Sequence, residues 1–476
     1  MAVTATSDSH TLVLAGAGCG KTTVLTKRIA FCVLSGIAAS RICALTFTRK
    51  AAEEMVSRVS VLDGIKNQQK LPLITTFHGL GLRVLSETVD GHLNFCRIGY
   101  SQMPRLLSER QRLELLAQIS SKIERDALKA DLLTLDSLLS QRSVFPEKQT
   151  FLSDDQKLIL KQISDRLEKL KRDKGVWDFS DLITGLMQLF KDNPSLAKTY
   201  ALRFDAVLVD EFQDTNPLQI KLLNCLLATG SSLFAVGDDD QAIYGFRGAD
   251  ILPTIEFCDY FRGAKILKLQ TNYRSVPVIL DTANRLFLDK DPAYRKVLIS
   301  ARYTRKDNIM KPSVHRFENM EKLISWVMST SVCINRKNSI PVKDMVLLFR
   351  VNQTLDWVDS QLKKMTGYSE HPQLLTVHRS KGLEFPVVFL CDMEESVFPS
   401  YRLIKSKRIG SLPEFISALF KCGKKSTIEC DWEEEKRLFY VAITRAQKYL
   451  YFLHAKNKLV YGRRKSFQQS RLLKLL

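Results

Sequence analysis

Apolar residues fall along this chain in two alternating rhythms. Short unbroken runs read as buried strands, and the stretches between them carry an apolar position every three or four residues, as amphipathic helices do. TLVLA (11–15) is the first such run, followed by a helix from Lys21 to Ser35, the strand ICALTF (42–47), a helix through KAAEEMVSRV, the strand LPLIT and a helix from Phe77. This alternation predicts βαβ units on a parallel sheet. From 104 to 173 the rhythm changes: MPRLLSERQRLELLAQISSKIERDALKADLLTLDSLL and SDDQKLILKQISDRLEKLKRDK are helical in period, charged, and without a strand signal. The α/β pattern then resumes with FDAVLVDEF (204–212), SSLFAVGD (231–238) and AKILKLQ (264–270). From about residue 277 a second set follows: PSVHRF (312–317), DMVLLFR (344–350), QLLTVH (373–378), FPVVFLCD (385–392) and KYLYFLH (448–454). The expected division is one α/β lobe from 1–85 and 176–276, a helical insertion at 86–175, a second α/β lobe at 277–454, and a basic tail at 455–476. That tail carries seven Lys or Arg and no acid, which predicts partial disorder.

Composition narrows the partners. Lys plus Arg (71) exceeds Asp plus Glu (51) by 20 among 476 residues, a balance that suits a polyanion; a surface tuned for solubility is the competing reading. Ten cysteines are scattered with none in a C-x-x-C pair. The expectation is therefore no structural zinc or iron–sulfur cluster, no secreted disulfide framework, and thiols buried as small hydrophobes in a reducing cytoplasm. No apolar run approaches the roughly 18 residues a bilayer span needs, and MAVTATSDSH has neither the basic nor the apolar region of a signal peptide. No membrane partner is expected.

The candidate chemistry begins at AGAGCGKTT (15–23), placed between a strand and a helix. In that context Ala15, Gly16, Ala17, Gly18, Cys19 and Gly20 form a phosphate-binding loop whose backbone N–H groups turn inward, backed by the helix N-terminus. Lys21 would reach the β- and γ-phosphates, and Thr22, with Thr23 behind it, would offer a hydroxyl to Mg²⁺. The strict pattern has Gly where this chain has Ala15. LVDEFQD (208–214) supplies two acids at the carboxyl end of an apolar strand, where open α/β sheets bind ligands. Asp210 would hold Mg²⁺, and Glu211 would orient and deprotonate the attacking water. These elements specify nucleoside triphosphate chemistry and no more, since small-molecule kinases and GTPases carry them too.

Further blocks stand in order: ALTFTRKAAEEM (44–55), TTFHGLGLRVL (75–85), VDEFQDTN (209–216), AVGDDDQAIYGFRGAD (235–250), TNYRS (271–275), TVHRSKGLEF (376–385) and YVAITRA (440–446). With them the chain resembles the UvrD/Rep family of superfamily 1 DNA helicases over nearly its whole length. The resemblance implies two RecA-like parallel-sheet lobes of the P-loop NTPase fold, 1A and 2A, with ATP and Mg²⁺ between them and a helical 1B insertion. It implies that Gln241 couples the γ-phosphate to the DNA site, and that Arg274 and Arg445 clamp that phosphate from opposite lobes. Tyr273 matches the aromatic that stacks on adenine, and Glu384 a residue near the ribose. Phe47, Thr76, His78, Tyr244, Phe246, Arg247 and His378 match positions along the single-stranded DNA path. Core packing competes for Phe47 and Phe246, and a structural role for the two histidines.

The chain also departs from the family. An adenine-reading Gln precedes the matching region in relatives, and Met1 begins too late to include it, so either the start lies upstream or base selectivity is relaxed. Gly245 and Arg379 replace the usual residues, and Arg379 adds a cation beside the DNA path. Only about a dozen residues separate MVLLFRVNQTLDWVDSQL (345–362) from Leu374, so there is no full 2B domain and the layout is compact, like helicase IV. No appended nuclease is expected. The expected function is 3′→5′ movement on single-stranded DNA and at single/double-strand junctions. The alternative is a DNA-stimulated ATPase switch, working with a nuclease or another partner and without processive unwinding.

Overall fold

The computed structural model describes residues 2–4, 9–63, 65–66, 71–144, 152–228, 230–245, 249–301, 310–365, 370–400, 427–460 and 463–476. Six strands build the first sheet: β1 (Thr11–Ala15), β2 (Ile42–Thr46), β3 (Leu73–Thr76), β4 (Ala206–Val209), β5 (Ser232–Gly237) and β6 (Lys265–Leu269). They lie in the order β6-β1-β5-β4-β2-β3, and all are parallel. Residues of β1, β2, β4 and β5 are buried throughout. Helices cover both faces of such a sheet, which is why these strands read as continuous apolar runs instead of alternating ones.

The second sheet comprises β7 (Ser313–Asn319), β8 (Val346–Phe349), β9 (Gln373–Thr376), β10 (Phe385–Leu390), β11 (Ala446–Val460) and β12 (Arg463–Ser466). Its order is β7-β11-β10-β8-β9, parallel, with β12 added antiparallel to β11. One apolar cluster joins the two sheets: it includes Val13, Leu208 and Val236 from the first and Val346, Val388 and Leu450 from the second. Two further clusters cover the opposite faces.

The stretch between the two parts of the first sheet is helical, with helices Glu109–Ile119, Lys122–Ala127, Leu132–Val144 and Asp154–Asp173 around a core of Leu116, Leu135, Leu138, Leu160 and Ile163. Serines cap three of them through reciprocal Ser108–Gln111, Ser121–Glu124 and Ser153–Gln156 bonds, each worth about 1 kcal/mol of helix stability. Here the sequence reading needs correcting. Arg105–Leu106 pairs in parallel with Val176–Trp177 and closes the helical unit at its base; two residues are too short a run to show a period.

The described part of the tail is ordered beyond expectation: β11 continues to Val460, β12 folds back on it, and Arg471–Leu475 forms a short 3-10 helix with Leu472 fully buried. Its charges masked the few residues that anchor it. The expectation for the thiols also holds only in part. Cys19, Cys32, Cys43 and Cys391 are buried, whereas Cys96, Cys258 and Cys333 are exposed. No helix among the described residues is long and apolar enough to cross a membrane.

Candidate functional site

Sheet order brings the chemistry together. β1, β5 and β4 are neighbours, with Leu14 level with Gly237 and Val209 level with Ala235. The carboxyl ends of these strands therefore deliver the glycine-rich loop, Asp238 and Asp210 side by side, in the crevice where such sheets bind ligands.

The loop 16–20 leads into the helix Lys21–Leu34, with Gly18 at φ 69° and Gly20 at φ 79°. This left-handed backbone admits glycine without strain and turns the N–H groups toward the helix axis. Asn272, itself buried, fixes the loop from behind. Its Nδ2 donates to Ala17 O (2.7 Å), and its Oδ1 accepts from the N–H groups of Arg274 (2.8 Å) and Ser275 (2.7 Å). A Cβ at position 18 would stand 2.6 Å from Asn272 Nδ2, so this cradle needs glycine on steric grounds as well. Tyr273 N donates to Gly18 O (3.0 Å), and the Tyr273 side chain is 53% exposed beside the loop. From the second lobe, the buried Tyr440 hydroxyl accepts from Ala17 N (3.4 Å).

The acids sit in contrasting fields. Burial, reinforced by the charge of Glu211, pushes Asp210 up to about 7. Burial would also raise Glu211, but Lys21, Lys381, a bond from Gln213 and Arg445 outweigh it and hold Glu211 near 2. The pair thus keeps one ionised carboxylate and one that readily holds a proton. Glu211 has φ 49°, and Gln213 Nε2 donates to its Oε2 (2.5 Å) while Gln213 Oε1 accepts from Asp238 N (2.8 Å). Gln213 therefore ties the acid of β4 to the loop after β5.

From Asp238 the contacts run to the second lobe. Lys21 Nζ lies 4.0 Å from Asp238 Oδ2, and Gln241 Nε2 donates to that same oxygen (2.5 Å). The other end of the Gln241 amide, Oε1, accepts from Arg445 Nη2 (3.0 Å). Arg445 is 1% exposed and is held by Val441 O (3.0 Å) and Leu383 O (2.9 Å); burial and the nearby Arg274 push its pKa down to about 9. Arg274 donates to Glu384 Oε2 (2.6 Å) and to Thr444 O (3.1 Å), and Gln447 donates to the other oxygen of Glu384 (2.9 Å). Lys381 crosses the same seam to Asp214 (2.6 Å) and the Gln241 carbonyl (2.9 Å). Lys21, Asp210, Glu211, Gln241, Arg274, Glu384 and Arg445 thus line one cleft.

The residues assigned to the strand path lie in several settings. Phe47 and Tyr244 are parallel at 6.0 Å, and Lys381 sits 4.7 Å over the Tyr244 ring. His78 meets the exposed Phe179 edge to face (5.9 Å). Thr76 accepts from Gly79 N (2.9 Å) and so caps the helix Phe77–Leu85. His378 and Arg379 begin the short helical turn after β9, with Arg379 exposed. Phe246 and Arg247 lie outside the described residues.

Asn272, Gln213, Asp214, Asp238, Lys296, Lys381 and Tyr440 were missed by sequence reasoning. Several stand inside quoted blocks, and the available signal was a polar residue repeatedly placed next to a buried apolar run.

Residues 1–261 match the UvrD/REP helicase N-terminal domain, and residues 364–457 the UvrD-like helicase C-terminal domain. The chain is 32% identical over 476 residues to a probable DNA helicase of Mycoplasma pneumoniae, covering 98% of this chain and 84% of that protein. It is 24% identical to the ATP-dependent DNA helicase PcrA of Staphylococcus aureus over 651 residues, again 98% of this chain and 84% of the relative. That alignment is longer than the chain itself, so PcrA carries stretches with no counterpart here. A putative ATP-dependent DNA helicase of Bacillus subtilis, YjcD, is 30% identical over 353 residues, 74% of this chain and 45% of that one.

Proposed function

The chain belongs to the UvrD/REP helicase family, and from that premise we propose that it moves 3′→5′ along single-stranded DNA by hydrolysing ATP between its two lobes. It is an ATP-dependent DNA helicase of the UvrD type; direction, residue roles and the metal are the proposal. One observation carries it: a hydrogen-bonded path from Asp238 through Gln241 to Arg445 across the seam, with Lys21 at 4.0 Å from its Asp238 end.

In this reading the triphosphate lies along the loop 16–20. Lys21 turns from Asp238 to the β- and γ-phosphates. Arg445 and Arg274 meet the γ-phosphate from the other side, so charge on the transferred group is met only when the lobes are together. Glu211, kept ionised and held by Gln213, orients the water and takes its proton. Thr22 on the first helical turn and Asp210 at the end of β4 form an oxygen donor set that fits Mg²⁺, which would neutralise phosphate charge there. Gln241 touches both the cleft and, through its neighbours, the Tyr244 side, so strand binding and hydrolysis are coupled. Aromatic stacking with flanking cations predicts little sequence preference and steep salt dependence. Cytoplasmic DNA is the proposed substrate, at single/double-strand junctions as well as along single strands.

ATPase rates with and without single-stranded DNA, duplex DNA and RNA test the reading, together with displacement of streptavidin from 3′- or 5′-biotinylated strands. Lys21→Ala abolishes hydrolysis and leaves strand binding intact; strand binding lost in parallel, in a folded protein, overturns the assignment. The short connection at residues 363–372 between the helix Asn352–Leu362 and β9 favours a second reading, a DNA-stimulated switch acting on a partner such as a nuclease. Stimulated ATPase without displacement supports that one.

A further inference from the structure

Behind the cleft lies a buried ionic knot that the reaction above does not use. Asp238, Asp239 and Asp240 bring their carboxylates within 4.8 Å of one another. The arrangement has the look of a cation site, but its cations are built in. Lys296, with its side chain 1% exposed, reaches Asp238 Oδ1 (3.1 Å), Asp240 Oδ2 (2.8 Å) and Asp239. Lys290 takes Asp240 Oδ1 (2.6 Å) and the other oxygen of Asp239. Both lysines come from the segment that follows the short helix Arg285–Phe287 and leads to Ile299–Ser300.

The three acids are not equivalent. Asp239 and Asp240 are shared between the two lysines, whereas Asp238 is a junction. Its N–H donates to Gln213, which holds Glu211; its Oδ2 faces Gln241 and Lys21; and its Oδ1 accepts from the Asp240 N–H (3.3 Å) and is taken by Lys296, the one cation on that oxygen among the described residues. A buried carboxylate turns toward whichever cation is nearest, because desolvated charge must be paired. With Lys296 in place, one oxygen is engaged from behind and the other is presented to the Gln241 amide, leaving Lys21 at 4.0 Å, beyond hydrogen-bonding contact. Without Lys296, the nearest cation for Asp238 is Lys21 itself.

Resting on the function proposed above, we infer that Lys296 is a positioning residue for ATP use: by holding Asp238 from behind, it keeps Lys21 available to phosphate and fixes the Gln241 amide that reports to Arg445. Lys296 touches neither nucleotide nor DNA in this scheme. Its loss raises the KM for ATP, because Lys21 becomes engaged by Asp238. It also weakens stimulation by DNA, because Gln241 loses its fixed partner.

The test uses the full chain as Lys296→Met, Gln241→Ala, the double variant and Lys296→Arg. ATP KM, kcat with and without single-stranded DNA, strand affinity and thermal melting are measured on each. Lys296→Met raises KM and lowers the DNA stimulation ratio by about tenfold, a usual size for coupling between sites, with strand affinity unchanged. Added to Gln241→Ala, it changes the stimulation ratio by less than about twofold, since residues acting through one another are not additive. Lys296→Arg, which keeps the cation, recovers part of the stimulation. Should Lys296→Met fail to fold, Lys296→Met/Asp240→Asn, which restores the charge count, replaces it in the same cycle. Fully additive losses, or an unchanged KM and ratio, overturn the inference. Wild-type turnover indifferent to single-stranded DNA sinks the functional reading itself, whereas normal wild-type stimulation with additive losses sinks this inference alone.

Discussion

Replacing Arg445 by lysine keeps a cation at the seam and removes only the planar fork. The guanidinium now makes separate bonds to Val441 O (3.0 Å), Leu383 O (2.9 Å) and Gln241 Oε1 (3.0 Å). An ammonium at the end of a flexible stem cannot serve all three directions. At least one bond from the charged donor is lost, worth about 1.5–3 kcal/mol. The group that should meet the γ-phosphate then no longer has a fixed plane. An arginine acting on a transferred phosphoryl group contributes about 10³–10⁵ in turnover, or about 4–7 kcal/mol. If charge without orientation keeps roughly half of that free energy, Arg445→Lys lowers kcat by about 30- to 300-fold at saturating ATP and single-stranded DNA. The affinity for a fluorescent ATP analogue stays within about threefold, because the missing interaction belongs to the transition state. Steady-state ATPase and nucleotide titration on the same preparation read both quantities. A folded variant that turns over within about tenfold of wild type removes Arg445 from the reaction, and the shared cleft with it.

Three further outcomes follow from the same geometry. Asn272→Ala deletes three buried hydrogen bonds behind the phosphate loop, about 3 kcal/mol of local stability; amide exchange at residues 17–20 speeds up and the KM for ATP rises, and unchanged exchange contradicts the support assigned to Asn272. Tyr244→Ala weakens single-stranded DNA binding by about 1–3 kcal/mol, read by anisotropy at fixed salt, and undiminished affinity would mean that Tyr244 only packs against Phe47. Asp214 carries a pKa raised by burial to about 6, against the opposing pull of Lys381. A carboxyl with a raised folded pKa binds its proton more tightly when folded, so stability is lost as pH rises between the unfolded value and the folded one. Wild type therefore loses up to about 3 kcal/mol relative to Asp214→Asn between about pH 4 and 6; denaturant melts with parallel pH slopes for the two proteins refute it.

The strands were the most legible part of the sequence. TLVLA and SLFAVG are buried on both faces, so their composition alone declares them. Glycines with positive φ and the acids at strand ends were equally open, because their roles depend on local backbone and immediate neighbours. Asn272 was not: its partner Ala17 lies 255 residues away, and no period or spacing links them. No local signal marks Lys296 or Lys381, because the buried aspartates they meet come from other parts of the chain. The tail misled for the opposite reason, since a run of charge concealed the buried Leu472 and the strand pairing that order it. Thr76 shows a third kind of ambiguity: its hydroxyl is engaged as a helix cap, a task that residue type and position announce as plainly as any contact with a strand.

Lys21 stands near Asp238, Arg274 grips Glu384 and Arg445 holds Gln241. Under the proposed function, a triphosphate seated on the loop 16–20 offers its own oxygens to three cations that two carboxylates and one neutral amide now engage. Loading is then an exchange of partners, and part of each new contact is offset by the one given up.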